Sequence, residues 1–257
     1  MELSANLGFL WNDRSLPDAI RAAKKAGFDA VEVHWPYAVD PSEVNAALEA
    51  TRSPLLGLNT DRGNVANGDN GLSALPGREA EAYKAIDQAV AYALATQARN
   101  IHVMAGFSQG AQAENAFVSA LEYACAKAAP HGITILIEPL NRYDAPGYFL
   151  STTVHAQEII ERVARDNLKL MFDCYHVQLM EGDISHRLAE LKPIIGHIQF
   201  ARVPDRGPPD GGELNYAHVF DVIRQIGWDA PIGAEYKSVL PTDETLGWMP
   251  SARGAAI

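Results

Sequence analysis

Residues 133–142 read Ile133-Thr134-Ile135-Leu136-Ile137-Glu138-Pro139-Leu140-Asn141-Arg142. The run is apolar and rich in β-branched residues, with no polar alternation, which suits a strand buried on both faces, as in a parallel sheet. Pro139 removes a backbone donor and restricts the residue before it, so the strand is expected to stop near Glu138. A carboxylate at the end of a buried strand is costly unless something compensates its charge. The rest of the chain has to supply that compensation.

Working outward, strand-like segments recur at Leu3–Leu7, Asp29–Val33, Pro54–Asn59, Asn100–Met104, Leu168–Asp173, Ile194–Gln199 and Pro231–Glu235. Helical periodicity lies between them. Ser15 can cap a helix with Pro17 in its first turn and Gly27 at its end. Further helices are expected at Pro41–Leu48, Pro76–Ala95, Ala113–Ala129, Thr152–Arg165, from Asp173 to about Leu191, Tyr216–Gly227 and Thr242–Trp248. Asn59–Leu75 is rich in Gly, Asn and Asp and reads as a long loop, of a length at which loops often serve as lids. Eight strand–helix units at roughly 30 residues each, with no linker, predict one α/β domain over residues 1–257, a (β/α)8 barrel. A doubly wound open sheet is the alternative, but the first βα turn lacks a Gly-x-Gly-x-x-Gly fingerprint. The tail from about Pro250 is expected to be loose.

Composition narrows the function. The net charge is −11 without a basic block, which argues against nucleic acid or an anionic membrane as a partner. Cys125 and Cys174 are the only cysteines and read as reduced thiols of a cytoplasmic protein. No secretory signal and no apolar stretch of about 18 residues is evident. A homo-oligomer is neither required nor excluded.

Four of the later strands end in a group that can bind a metal: Glu138, Asp173, Gln199 and Glu235. Their separations of 35, 26 and 36 residues each approximate one βα unit, so the four side chains should converge at the C-terminal mouth of a barrel, where catalytic groups of this architecture sit. Three carboxylates in one mouth would raise one another's pKa unless a cation held them together. An all-oxygen set of acids plus one amide suits Mg2+ or Mn2+ better than Zn2+.

These pieces resemble the hydroxypyruvate isomerase family, one of the xylose-isomerase-like barrels. The resemblance rests on Ile137-Glu138-Pro139-Leu140-Asn141, Phe172-Asp173-Cys174-Tyr175-His176-Val177-Gln178, Gly196-His197-Ile198-Gln199 and Gly233-Ala234-Glu235-Tyr236-Lys237. It is supported by Ser4-Ala5-Asn6-Leu7, Leu75-Pro76-Gly77-Arg78-Glu79 and Gly212-Glu213-Leu214-Asn215-Tyr216, and runs in order to about Met249. It implies that Glu138, Asp173, Gln199 and Glu235 are metal ligands and that Glu138 and Glu235 are also the acid/base pair. The implied reaction interconverts hydroxypyruvate and tartronate semialdehyde through a cis-enediolate. Ketose 3-epimerases usually carry His where Gln199 stands, which favours the isomerase branch.

Three further residues are candidates for substrate binding. His176 could donate to a substrate oxygen, with a cap or core role as the alternative. Arg206 could hold a carboxylate bidentately, with a solvated loop position as the alternative. Lys237 faces the mouth only if Tyr236 does not. A 2-oxo-tetronate isomerase, a ketose 3-epimerase and a non-catalytic sugar-binding barrel remain competing readings. An apurinic-site endonuclease is disfavoured, because it would need His-rich zinc ligands and a basic groove.

Overall fold

The structure, a computed structural model, describes residues 1–254. Eight parallel strands form one sheet: β1 (Leu3–Asn6), β2 (Ala30–Glu32), β3 (Gly57–Asn59), β4 (Asn100–His102), β5 (Thr134–Ile137), β6 (Leu168–Asp173), β7 (Ile195–Phe200) and β8 (Ile232–Ala234). Neighbours in sequence pair from β1 to β2 and from β3 through β8, and β1 pairs with β8. The last seam is shorter. A bridge from Val31 to Leu55, with hydrogen bonds Leu56 N to Val31 O (2.7 Å) and Val33 N to Gly57 O (3.0 Å), joins β2 to β3 and closes the barrel.

The helices are α1 (Leu16–Lys25), α2 (Pro41–Thr51), α3 (Glu79–Thr96), α4 (Ala111–Ala128), α5 (Thr153–Val163), α6 (Cys174–Met180), α7 (Ile184–Leu191), α8 (Tyr216–Gln225) and α9 (Met249–Arg253). Several starts are set by side chains that accept the orphan amides of the first turn. Ser15 accepts from Asp18 N, Asp40 from Ser42 N, Thr152 from His155 N and Asn215 from His218 N. The strands place fully buried Leu3, Leu58, Ile135, Ile137 and Phe172 in the core. The predicted barrel is therefore present, with every strand in its expected place.

Three local expectations need correction. The helical region after Asp173 is two helices, because Gly182 and Asp183 both take left-handed backbone conformations (φ 67° and 54°) that end α6 and turn the chain into α7. The expected helix Thr242–Trp248 is only a 3-10 turn, Thr242–Glu244. The tail expected to be loose from Pro250 instead begins with α9, where Pro250 sits in the first turn, a position that suits its fixed φ. Ala252 is fully buried, and Arg253 bonds to Asp29 at 2.8 Å and to the carbonyl of Gly27. Residues 255–257 of that tail lie outside the described residues.

The long loop is tethered at several points. Arg78 holds Asp69 bidentately (2.8 and 2.9 Å), Gly71 bridges to Ala105, and the Arg62 guanidinium stacks 3.8 Å from the Trp35 ring. A Cβ at Gly71 would fall 2.7 Å from the Met104 backbone, so only glycine permits this approach.

Candidate active site

The barrel's C-terminal mouth is built by residues at or one step past the strand ends. Glu138 and Glu235 follow β5 and β8 directly, Asp173 ends β6, and Gln199 is the penultimate residue of β7. Asp173 and Gln199 are register partners, as are Gln199 and Gly233. All four candidate ligands are nearly excluded from solvent. The structure thus brings together the set expected from strand spacing.

Asp173 divides its oxygens between two tasks. Oδ1 caps α6 by accepting from Tyr175 N (2.9 Å), which leaves Oδ2 directed at the site. Glu235 is the most heavily bonded acid. Its Oε1 accepts from Asn6 Nδ2 (2.9 Å) and from His34 Nε2 (2.8 Å), and its Oε2 from Arg206 Nη2 (2.6 Å). The same Arg206 nitrogen lies 3.5 Å from Asp173 Oδ2, and Nη1 lies 3.6 Å from Asp144. Its guanidinium stacks about 5 Å from the rings of Phe9 and Tyr175. Arg206 is thus no solvated loop residue, but a largely enclosed cation across the acids, its side chain 12% exposed.

Charge follows this geometry. Burial, then the neighbouring charges of Glu235 and Asp173, push the Glu138 carboxyl well above the usual carboxylate range. Burial raises Asp173 to about 7 against the pull of Arg206. Burial alone would also raise Glu235, but Arg206 and the His34 hydrogen bond outweigh it and bring it down to about 2.

His176 is assigned by its partners. The backbone amide of Asn141 donates to Nδ1 (2.9 Å), so Nδ1 is unprotonated and Nε2 carries the proton. Burial, with Arg206 nearby, keeps the ring neutral. Nε2 lies 3.6 Å from Asp173 and 3.8 Å from Glu138 without a hydrogen-bond partner. One atom each of Glu138, Asp173 and His176 falls within 4.8 Å of the others, a spacing that could hold a metal. In this tautomer, however, His176 is a donor facing the site, and the oxygen groups are the better ligands. Two of those oxygens, Glu138 Oε1 and Gln199 Oε1, are buried without a partner. Unpartnered buried oxygens among mutually repelling acids fit a hard divalent cation.

Lys237 does not join this cluster. Its side chain is exposed at the rim, 5.3 Å from the Phe9 ring, and only its backbone amide touches Arg206. Tyr236 turns into the core and bonds Thr245.

Sequence reasoning passed over three residues: Asn6, Glu32 and His34. Asn6 and Glu32 end β1 and β2, and Glu32 interrupts an apolar run as Glu138 does, so the strand-end rule could have found both. Glu32 Oε2 accepts from Gln199 Nε2 (2.6 Å) and His197 Nε2 (3.1 Å). His34 lies beyond β2, and only its contact with Glu235 across the barrel reveals it.

A family model described as the xylose isomerase-like TIM barrel matches residues 20–252. The chain belongs to that family. The 2-oxo-tetronate isomerase of Cupriavidus necator is 41% identical, the alignment covering 96% of both chains. The hydroxypyruvate isomerase of Escherichia coli is 34% identical over 97% of this chain and 98% of its own. Among solved structures, a protein described as AP endonuclease, family 2, from Brucella melitensis superposes with a TM-score of 0.93 at 36% identity, covering 97% of this chain and 98% of that one. The resemblance read from the strand-end motifs is thereby borne out.

Proposed function

We propose that this protein is a metal-dependent isomerase that interconverts hydroxypyruvate and tartronate semialdehyde, with Glu138 and Glu235 as its acid/base pair. The observation that carries the reading is the convergence of three acids and one amide at the barrel mouth, with Glu138 Oε1 and Gln199 Oε1 left unpartnered. The names of relatives that align over nearly the whole chain support the same chemistry.

The reaction moves a carbonyl one carbon along a three-carbon acid through an enediolate. A Mg2+ or Mn2+ ion held by Glu138, Asp173, Gln199 and Glu235 would polarise the substrate carbonyl and stabilise negative charge on its oxygen. Glu138 and Glu235, from strands three apart, flank the space between them. One removes the proton from the hydroxyl-bearing carbon and the other delivers a proton to the former carbonyl carbon, while the hydroxyl proton passes to the adjacent former carbonyl oxygen. Neutral His176 offers its Nε2–H to a substrate oxygen. Arg206 supplies a fork for the substrate carboxylate once the acids are neutralised by the ion. His34 and Asn6 hold Glu235 in place through Oε1. Lys237 at the rim is positioned to attract an anionic substrate before it reaches Arg206.

A four-carbon 2-oxo-tetronate would use the same groups, and the relative of that name keeps it as the second reading. The endonuclease description of the Brucella protein is not carried over, since a chain of net charge −11 is a poor match for a polyanion.

Incubation of the Mn2+- or Mg2+-loaded protein with hydroxypyruvate and with four- to six-carbon ketoses in D2O tests the reading. Deuterium should enter hydroxypyruvate at the carbon next to the carbonyl, and chelation should abolish the exchange. Glu138→Gln and Glu235→Gln should each lower turnover by about 10²–10⁴-fold with the metal still bound. Turnover near wild type in either variant would refute the acid/base assignment.

A further inference from the structure

We propose that Glu32 is a positioning residue for Gln199: its carboxylate holds the amide nitrogen, so that the amide presents its oxygen to the barrel mouth. The inference rests on the metal reading above. A glutamine amide has a donor end and an acceptor end of nearly equal shape, and only the acceptor end can bind a cation. Something must therefore fix which end faces the mouth.

Glu32 does so by chemistry. A carboxylate oxygen accepts hydrogen bonds, and the group that Glu32 Oε2 meets at 2.6 Å is the NH2 of Gln199 and not its carbonyl. The same oxygen, Oε2, meets His197 Nε2 at 3.1 Å, which fixes the proton on that nitrogen. Gln199 Oε1 is then left buried and without a protein partner. Glu32, His197 and Gln199 are each at most 4% exposed, so these bonds are shielded from bulk solvent. With Asn6, Asn100 and His102 they line a cavity of about 20 Å3, with room for about one water.

The barrel is shaped for this contact. Glu32 ends β2, two strands beyond the β7–β8 pair, so its side chain must cross the interior. It passes over Gly233 of β8. A Cβ there would collide with Glu32 Oε1 and lie 2.9 Å from Gln199 Cγ. Gly233 has no left-handed conformation to explain it, and the space it leaves is what the Glu32–Gln199 contact occupies. Partners that orient metal ligands typically change metal affinity by about 10–100-fold when removed.

The test measures Mn2+ binding to chelator-stripped protein, read from the free-ion EPR signal, in wild type, Glu32→Met, Glu32→Gln, Gln199→Leu and Glu32→Met/Gln199→Leu. Glu32→Met should weaken binding by about 10–100-fold, and Glu32→Gln, which keeps an acceptor oxygen, should recover most of the loss. In the Gln199→Leu background, Glu32→Met should change the affinity by less than about twofold, because the residue through which it acts is gone. A second readout needs no metal. The Gln199 side-chain NH2, assigned in 15N spectra by its loss in Gln199→Leu, should exchange slowly in wild type and rapidly in Glu32→Met. Unchanged Mn2+ affinity in Glu32→Met, or an equal loss with and without Gln199, would overturn the proposal. Wild type that binds no Mn2+ would overturn the metal reading and this proposal with it. If Glu32→Met does not fold, Glu32→Asp, one methylene short of Gln199, carries the same expectations.

Discussion

Arg206→Met removes the only cation lying across the acids of the mouth among the described residues, while keeping an apolar stem between Phe9 and Tyr175. Asp173 Oδ2 and Glu235 Oε2 contact the same nitrogen, Nη2, at 3.5 and 2.6 Å, so they lie no more than about 6 Å apart. At an effective dielectric constant of about 20, two like charges at that distance repel by ~3 kcal/mol. Without Arg206 that repulsion is uncompensated in the metal-free protein at a pH high enough to ionise both acids. It fades as the pH falls: Asp173 titrates at about 7 with Arg206 beside it, and loss of that cation raises it further, so the acid takes up a proton sooner. A destabilisation of ~3 kcal/mol in a chain of this size lowers Tm by about 6–12 °C. A divalent ion replaces the missing positive charge, so with Mn2+ present the fall should shrink to below about 3 °C. Thermal unfolding followed by circular dichroism at pH 6 and 8, with chelator or Mn2+, measures all four values. An equal fall in every condition would refute the electrostatic account and leave only lost packing. The metal-loaded variant should also show a raised KM for hydroxypyruvate, since the carboxylate loses its fork.

Stability of the metal-free protein should depend on pH in a direction set by the acids. Asp173 has a folded pKa of about 7 against an ordinary value of 3.8, so its contribution is fully present below 3.8 and is lost as the pH rises through about 7. The stabilisation given by Mn2+ should accordingly grow between pH 5 and 8, as measured by the shift in Tm; a shift independent of pH would count against ligation by these acids. Arg78→Ala should free the 61–75 loop at a cost of about 1 kcal/mol, seen as faster proteolysis there with little change in global Tm. In wild type the Arg78 hydrogen bond holds the Asp69 carboxyl below its ordinary range, so this tether is present above pH 3.8 and is lost as the pH falls below it. Loop cleavage that is unchanged in Arg78→Ala would show that Gly71 and Arg62 suffice to hold it.

The barrel and the four groups at its mouth were legible in the order of residues. Strand burial is written in apolar runs such as 133–137, and one βα unit of spacing brings successive strand ends to the same side. Both are properties of local chain geometry. The ends of elements followed less well where a residue has two uses. Pro250 reads equally as the end of one helix and the first turn of another, and packing of Ala252 chose the second. Tertiary structure alone decided the electrostatic roles. That Arg206, from a loop after β7, lies across Asp173 and Glu235 depends on where that loop folds. The His176 tautomer depends on an amide 35 residues away. Glu32 stands in an apolar run as Glu138 does, but its purpose is visible only once it crosses the barrel over Gly233 to reach Gln199. Hydrogen bonds and charge pairs are set by angstrom distances between residues far apart in the chain, and periodicity carries no record of those.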